Sequence, residues 1–86
     1  MNRIWSYLPN GARQSRLFSS KESCYRTAAV RIKDQLGEVS DPETRERLGR
    51  LLQREAYEDL VLEWNRWARA ECMHYVIDIV SFGLEG

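Results

Sequence analysis

The stretch Glu71-Cys72-Met73-His74-Tyr75-Val76-Ile77-Asp78 decides what kind of fold this chain can have, because a helical pattern runs into it and a different pattern leaves it. A helix continued through it would set Glu71, His74 and Asp78 on the sector already held by Leu60, Trp64 and Trp67. Three polar groups would then occupy the core face. Tyr75, Val76, Ile77, Ile79, Val80 and Phe82 would meanwhile scatter around the circumference, so the 3.6-residue period is lost after Glu71. The run from Tyr75 to Phe82 is β-branched and aromatic and ends at Gly83, which reads as an extended segment. The helix is expected to end near Cys72 or His74.

The same stretch holds the only histidine, one of two cysteines and two carboxylates. Glu71 and His74 have the Glu-x-x-His spacing of carboxylate-bridged metal sites, with Asp78 one turn further on. Such sites need a second copy of the motif on a facing helix, and one histidine cannot supply it. Cys72 and His74 point about 200° apart on a helix and would share a face only on a strand. Cys72, like Cys24, reads as a small apolar residue. No catalytic residue, metal, cofactor or small-molecule substrate is expected.

Upstream, two helices are legible. Ser19 with Glu22 forms a capping-box pattern, and Tyr25, Ala28, Ala29, Ile32 and Leu36 follow at helical spacing, predicting a first helix over 20–36 with Gly37 at its C-terminal end. Asp41-Pro42-Glu43 supplies an N-cap, a proline at the first helical position and an acid beside the helix dipole. From there Leu48, Leu52, Ala56, Leu60, Trp64 and Trp67 fall on one face, predicting a single amphipathic helix over 42–72. Gly49 and Gln53 are defects in it. Glu43 with Arg47 and Glu46 with Arg50 are i,i+4 pairs of a solvated face.

Ala28-Ala29, the turn Ser40-Asp41-Pro42-Glu43-Thr44-Arg45, then Leu48, Leu51-Leu52 and Tyr57 resemble a pattern in short bacterial proteins of unknown function. Those proteins are helical hairpins hinged on an Asp-Pro-Glu-x-Arg turn. The likeness covers residues 24–68 and implies a helical hairpin in a bacterial cytoplasm, with no activity to carry over.

Residues 1–18 carry Arg3, Arg13 and Arg16 and no acid, with Trp5, Tyr7 and Phe18 among them. Pro9-Asn10-Gly11 between two apolar runs is a hairpin signal. An arm that orders only on a partner and an arginine-rich, serine-containing mitochondrial targeting segment are the competing readings.

The chain has 86 residues, 43% of them apolar, enough for one small domain. No apolar run reaches the ~20 residues that span a bilayer, so no membrane association is expected. Without a CxxC pattern or secretory h-region, a reducing compartment follows: cytoplasm, or the mitochondrial matrix as the alternative. The formal net charge of zero conceals a division: residues 1–33 carry a net +6 and residues 34–86 a net −6. The two halves attract each other, and a basic surface reserved for nucleic acid is less necessary.

The fold class expected is mainly α: an antiparallel helical hairpin with a non-helical N-terminal arm and an extended tail over 75–86. The alternative is α+β, with a small antiparallel sheet from residues 3–18 and 75–82. A first helix of ~17 residues covers only about 25 Å of the second. That leaves Leu60, Trp64, Trp67, Tyr75 and Phe82, with Trp5 from the arm, as the candidate partner-binding face. The function expected is a small non-enzymatic interaction or regulatory protein that binds itself or a larger protein. The alternatives are a nucleic-acid-associated regulator using Arg3, Arg13 and Arg16, and an accessory subunit of a larger complex.

Overall fold

A computed structural model describes residues 3–83 and shows the α+β alternative rather than the mainly α fold. In chain order the elements are β1 (Arg3–Pro9), β2 (Arg16–Phe18), α1 (Lys21–Gln35), α2 (Pro42–Gln53), α3 (Tyr57–Glu71) and β3 (Ile77–Gly83), with 3-10 turns over Leu36–Glu38 and Met73–Tyr75. The strands form one antiparallel sheet in the order β2-β1-β3. The first strand of the chain is thus its central one. The segment over 3–18 is an ordered part of the fold rather than a loose arm, since the sheet is built on it.

Register follows from Pro9 and Asn10. Asn10 donates its backbone N–H to the Val76 carbonyl at 2.8 Å, and its side-chain amide reaches the Met73 carbonyl. This makes 10/76 a hydrogen-bonded pair. By alternation 8/78, 6/80 and 4/82 are bonded pairs too, whereas Pro9/Ile77, Tyr7/Ile79, Trp5/Ser81 and Arg3/Gly83 are the non-bonded ones. The bonding groups of Pro9 therefore face β2, and proline has no N–H to offer there. β2 stops at Arg16, opposite Tyr7. The Asn10-Gly11 pair does not make the expected two-residue hairpin turn. Only Gly11 has positive φ, at 88°, and Ala12 donates to the Pro9 carbonyl at 3.0 Å, as in a type II turn at the head of a longer loop.

The helices begin where expected, with one shift. Ser20 rather than Ser19 caps α1, accepting the Ser23 N–H at 3.1 Å. Gly37 does not end the helix in a left-handed conformation; it lies inside the 3-10 turn that delivers buried Val39 to the core. Asp41 caps α2 through the Thr44 N–H, and Pro42 opens it.

The single helix over 42–72 does not form. It breaks after Gln53, and α2 and α3 fold against each other. The break is a Schellman motif: Glu55 N–H donates to the Leu52 carbonyl and Ala56 N–H to the Leu51 carbonyl. Glu55 takes the left-handed position, φ 56°, where glycine is usual. No glycine or proline announces the turn. As a result α1 packs chiefly along α3 and little on α2, unlike the simple hairpin.

The helices lie on one side of the sheet. Odd-numbered strand residues Tyr7, Ile77, Ile79 and Trp5 face them and join Cys24, Ala28, Ile32, Leu48, Leu60 and Trp64 in one core. The one buried polar side chain in this core region, Asn65, spans the layers: its Nδ2 donates to the Ile77 carbonyl at 2.8 Å and its Oδ1 accepts the Ile77 N–H at 2.9 Å.

Two stability outcomes follow. Glu55→Gly relieves a left-handed cost of about 1 kcal/mol and raises the denaturant midpoint at unchanged slope. Asn65→Leu orphans both Ile77 groups and lowers unfolding free energy by roughly 2–4 kcal/mol in the same measurement.

Candidate functional site

The sequence-derived face does not assemble as one surface. Leu60 and Trp64 are fully enclosed, at 0% exposure, and cannot anchor a partner without unfolding. What covers Trp64 is the chain's own C-terminal turn. Its Nε1 donates to the Tyr75 carbonyl at 2.6 Å, and its ring sits 4.9 Å from Trp67 and 6.1 Å from Tyr75, with Trp67 stacked on Tyr75. Trp67 and Tyr75 are half-buried parts of this cluster. Trp5 is elsewhere: it meets Tyr25 of α1 edge-on and lies under the Lys21 ammonium. Of the six residues, Phe82 alone is exposed.

Phe82 belongs to a surface that sequence reasoning missed. Since the odd residues of β1 and β3 face the helices, and Arg16 and Phe18 of β2 pair with Tyr7 and Trp5 on that side, the alternate residues of each strand line the opposite face of the sheet. Ile4, Ser6 and Leu8 of β1, Leu17 of β2 and Val80 and Phe82 of β3 lie together there, with Asp78 at one corner. The register sets Ile4 beside Phe82 and Ser6 between Leu17 and Val80. Leu17 is 62% exposed, Val80 58% and Phe82 44%. No described element lies over this face. A half-buried strand should alternate apolar with polar, but 77–83 is apolar on both faces, and that was the available signal.

The sheet's two edges are unequal. Along β2 only Leu17 directs its backbone groups outward, because Arg16 and Phe18 bond to β1. Along β3 the outward residues are Ile77, Ile79, Ser81 and Gly83. Asn65 occupies both groups of Ile77. Among the strands, β3 has β1 as its only neighbour, so the edge from Ile79 to Gly83 pairs with no other strand of the described chain.

The arginines of the N-terminal segment are not gathered into one patch. Arg3 donates to the Ser81 hydroxyl at 3.0 Å at one end of β1, whereas Arg16 lies opposite Tyr7 and over the Phe18 ring at 5.3 Å. Arg13 is in the loop between β1 and β2. Residues 3 and 7 are about 13 Å apart along a strand.

Near residues 71–78 the metal-type alignment is lost, because α3 ends at Glu71, Cys72 is its C-cap and His74 lies in the following 3-10 turn. Among the described residues no three His, Cys, Asp or Glu side chains group closely enough to hold a metal ion. Cys24 is buried, which pushes its thiol pKa up. Among the same residues no helix is long and apolar enough to cross a membrane.

Two open concavities flank α1. A groove of about 450 Å³ toward α2 has an apolar floor of Ala29, Leu52 and Tyr57 below Arg26 and Lys33. A cleft of about 460 Å³ toward the sheet is lined by Tyr7, Arg16, Thr27, Arg31 and Asp34. Burial raises the Tyr7 pKa against the opposing pull of the Arg31 and Arg16 guanidinium groups. Arg31 Nε and Gln35 Oε1 are enclosed there without a protein partner. Neither atom is open to a ligand, and Asp34 offsets part of the positive charge.

Comparison with protein-family models, curated proteins and solved structures finds no match for this chain.

The division between core and surface is directly measurable. Trp64→Ala costs about 3–5 kcal/mol of unfolding free energy, whereas Leu17→Ser and Phe82→Ser each change it by within about 0.5 kcal/mol. Chemical denaturation of the three variants gives the comparison.

Proposed function

We propose that this chain is a small non-catalytic interaction protein whose working surface is the open side of its sheet. The aromatic face inferred from sequence is relocated by this reading, and Phe82 is the residue shared by both. The observation that carries it is the set Ile4, Leu8, Leu17, Val80 and Phe82 on one uncovered sheet face. Contiguous apolar surface of this kind marks sites of association, while single exposed apolar residues do not. Ser6 at the centre and Asp78 at a corner give the face polar points that can fix orientation.

The free stretch of β3 adds a second mode of recognition. An extended segment laid beside Ile79–Gly83 would complete a four-stranded ladder through main-chain bonds, with Val80 and Phe82 beside the partner's side chains. The helical layer supplies the rigid support, since α1 and α3 fill the other face of the same strands. No chemistry at a reacting centre enters this reading.

A photoactivatable phenylalanine analogue placed at Leu17 or Phe82 in cells producing the protein is expected to give discrete protein adducts. The same analogue at Leu62, a position on α3 at least as exposed as either, is expected to give none. Adducts of similar yield at all three positions, or at none, would remove the sheet face as the working surface.

A further inference from the structure

We propose that the occupant of the β3 edge is a second copy of this chain, paired antiparallel about a two-fold axis at Ser81 to give a continuous six-stranded sheet. This rests on the reading of the sheet as the interaction surface and names the partner of its β3 edge.

The geometry limits the register. Pairing to β1 leaves Ile77, Ile79, Ser81 and Gly83 with N–H and C=O groups directed outward. The Asn65 amide closes Ile77. Three residues remain, and two antiparallel copies can bond all of them in one way only: Ile79 with Gly83 of the second copy, Ser81 with Ser81, and Gly83 with Ile79. A two-residue slip one way needs the groups that Asn65 holds, and a slip the other way loses a bonded pair. An odd slip turns the bonding groups of one strand away from the other.

The side chains agree with that register. Val80 of each copy falls beside Phe82 of the other, at the non-bonded positions where cross-strand side chains lie closest. On the helix side the bulk of Ile79 meets Gly83, which has no side chain to crowd it. Each Ser81 hydroxyl accepts from its own Arg3 and is free to donate across the axis. Residues 79–83 carry no charge, so self-pairing sets no carboxylates or ammonium groups against each other, and the two Asp78 side chains lie at opposite ends. The two Arg3 side chains approach near the axis but are exposed to water, which screens them.

The edge also lacks the features that keep exposed strands single. β3 has no proline, no lysine and no bulge, whereas the opposite edge of the sheet is three residues long and has one outward-directed residue. The contact is smaller than the roughly 1,200–2,000 Å² of a standard stable interface, so the dimer forms as concentration rises rather than at all concentrations.

Sedimentation equilibrium from micromolar to millimolar protein tests this with wild type, Ser81→Pro and Val80→Lys. The Ser81 N–H faces away from β1, so proline there removes an edge donor and leaves the internal ladder bonded. Val80→Lys alters only an exposed side chain, and circular dichroism confirms that each variant is folded. Wild type is expected to approach twice the 10.1 kDa of one chain while both folded variants stay near that mass. In a Cys72→Ser background, Ser81→Cys is expected to give a covalent dimer with a short bismaleimide and Asp78→Cys none. A wild-type protein monomeric throughout, a dimer that survives both variants, or equal crosslinking at positions 78 and 81 overturns the proposal. A monomer that still gives heterologous adducts at Leu17 and Phe82 overturns the self-pairing alone; a monomer without adducts overturns both readings.

Discussion

The two hydrogen bonds between the Asn65 amide and the Ile77 backbone hold the two layers of this molecule in their relation. A side-chain amide is the only group on an amino acid other than the backbone itself that offers a donor and an acceptor at the spacing of a peptide unit. Here it substitutes for a neighbouring strand at the first residue of β3. Because Asn65 is buried on α3 and Ile77 is fully enclosed, neither can turn to water instead. The direction in which β3 leaves the helical layer, and hence the register with β1, depends on this pair. The Trp64 indole fixes the intervening turn through the Tyr75 carbonyl one helical step away.

Several elements are legible in the residues alone. The Asp41-Pro42 helix start, a helix end near Cys72 and an extended segment after it all follow from local chemistry. The structure has the start and ends α3 at Glu71 with Cys72 as its cap. Its strand begins at Ile77 rather than 75 because Met73–Tyr75 form a 3-10 turn, and residues 84–86 of the expected tail lie outside the described residues. Two things were not local. The break at Glu55 places an ordinary charged residue in a conformation that glycine usually takes, and the two halves of the helix are then held by mutual packing. Periodicity alone runs straight through it, because Leu48 and Leu60 are both core residues on either account. The pairing of β1 with β3 was expected only as an alternative, since it joins residues more than sixty positions apart.

The candidate surface was legible in one residue of six. Hydrophobicity picks out Leu60, Trp64 and Trp67 as needing cover but cannot say whether the cover comes from inside the chain. It does here: residues 72–76 fold back over the tryptophans. The exposed apolar side chains come instead from even positions of β1 and β3 and from Leu17 of β2. Their association into one face exists only once the sheet order β2-β1-β3 is known.

That strand order also governs how the molecule can be made. β2 can join β1 as soon as residue 18 is available, but β3 lies some seventy residues after β1, which at biosynthetic rates of about 5–20 residues per second is a wait of several seconds. During that wait the second edge of β1 has no native strand to pair with, although its core-facing side chains can already meet α1, as Trp5 meets Tyr25. The helices can form and dock on one another meanwhile, since their contacts are mostly nearer in sequence. β3 thus completes the sheet last of the three strands: until Ile77 and the residues after it are in place, β1 is paired on one side only and the Asn65 amide has no backbone to bond.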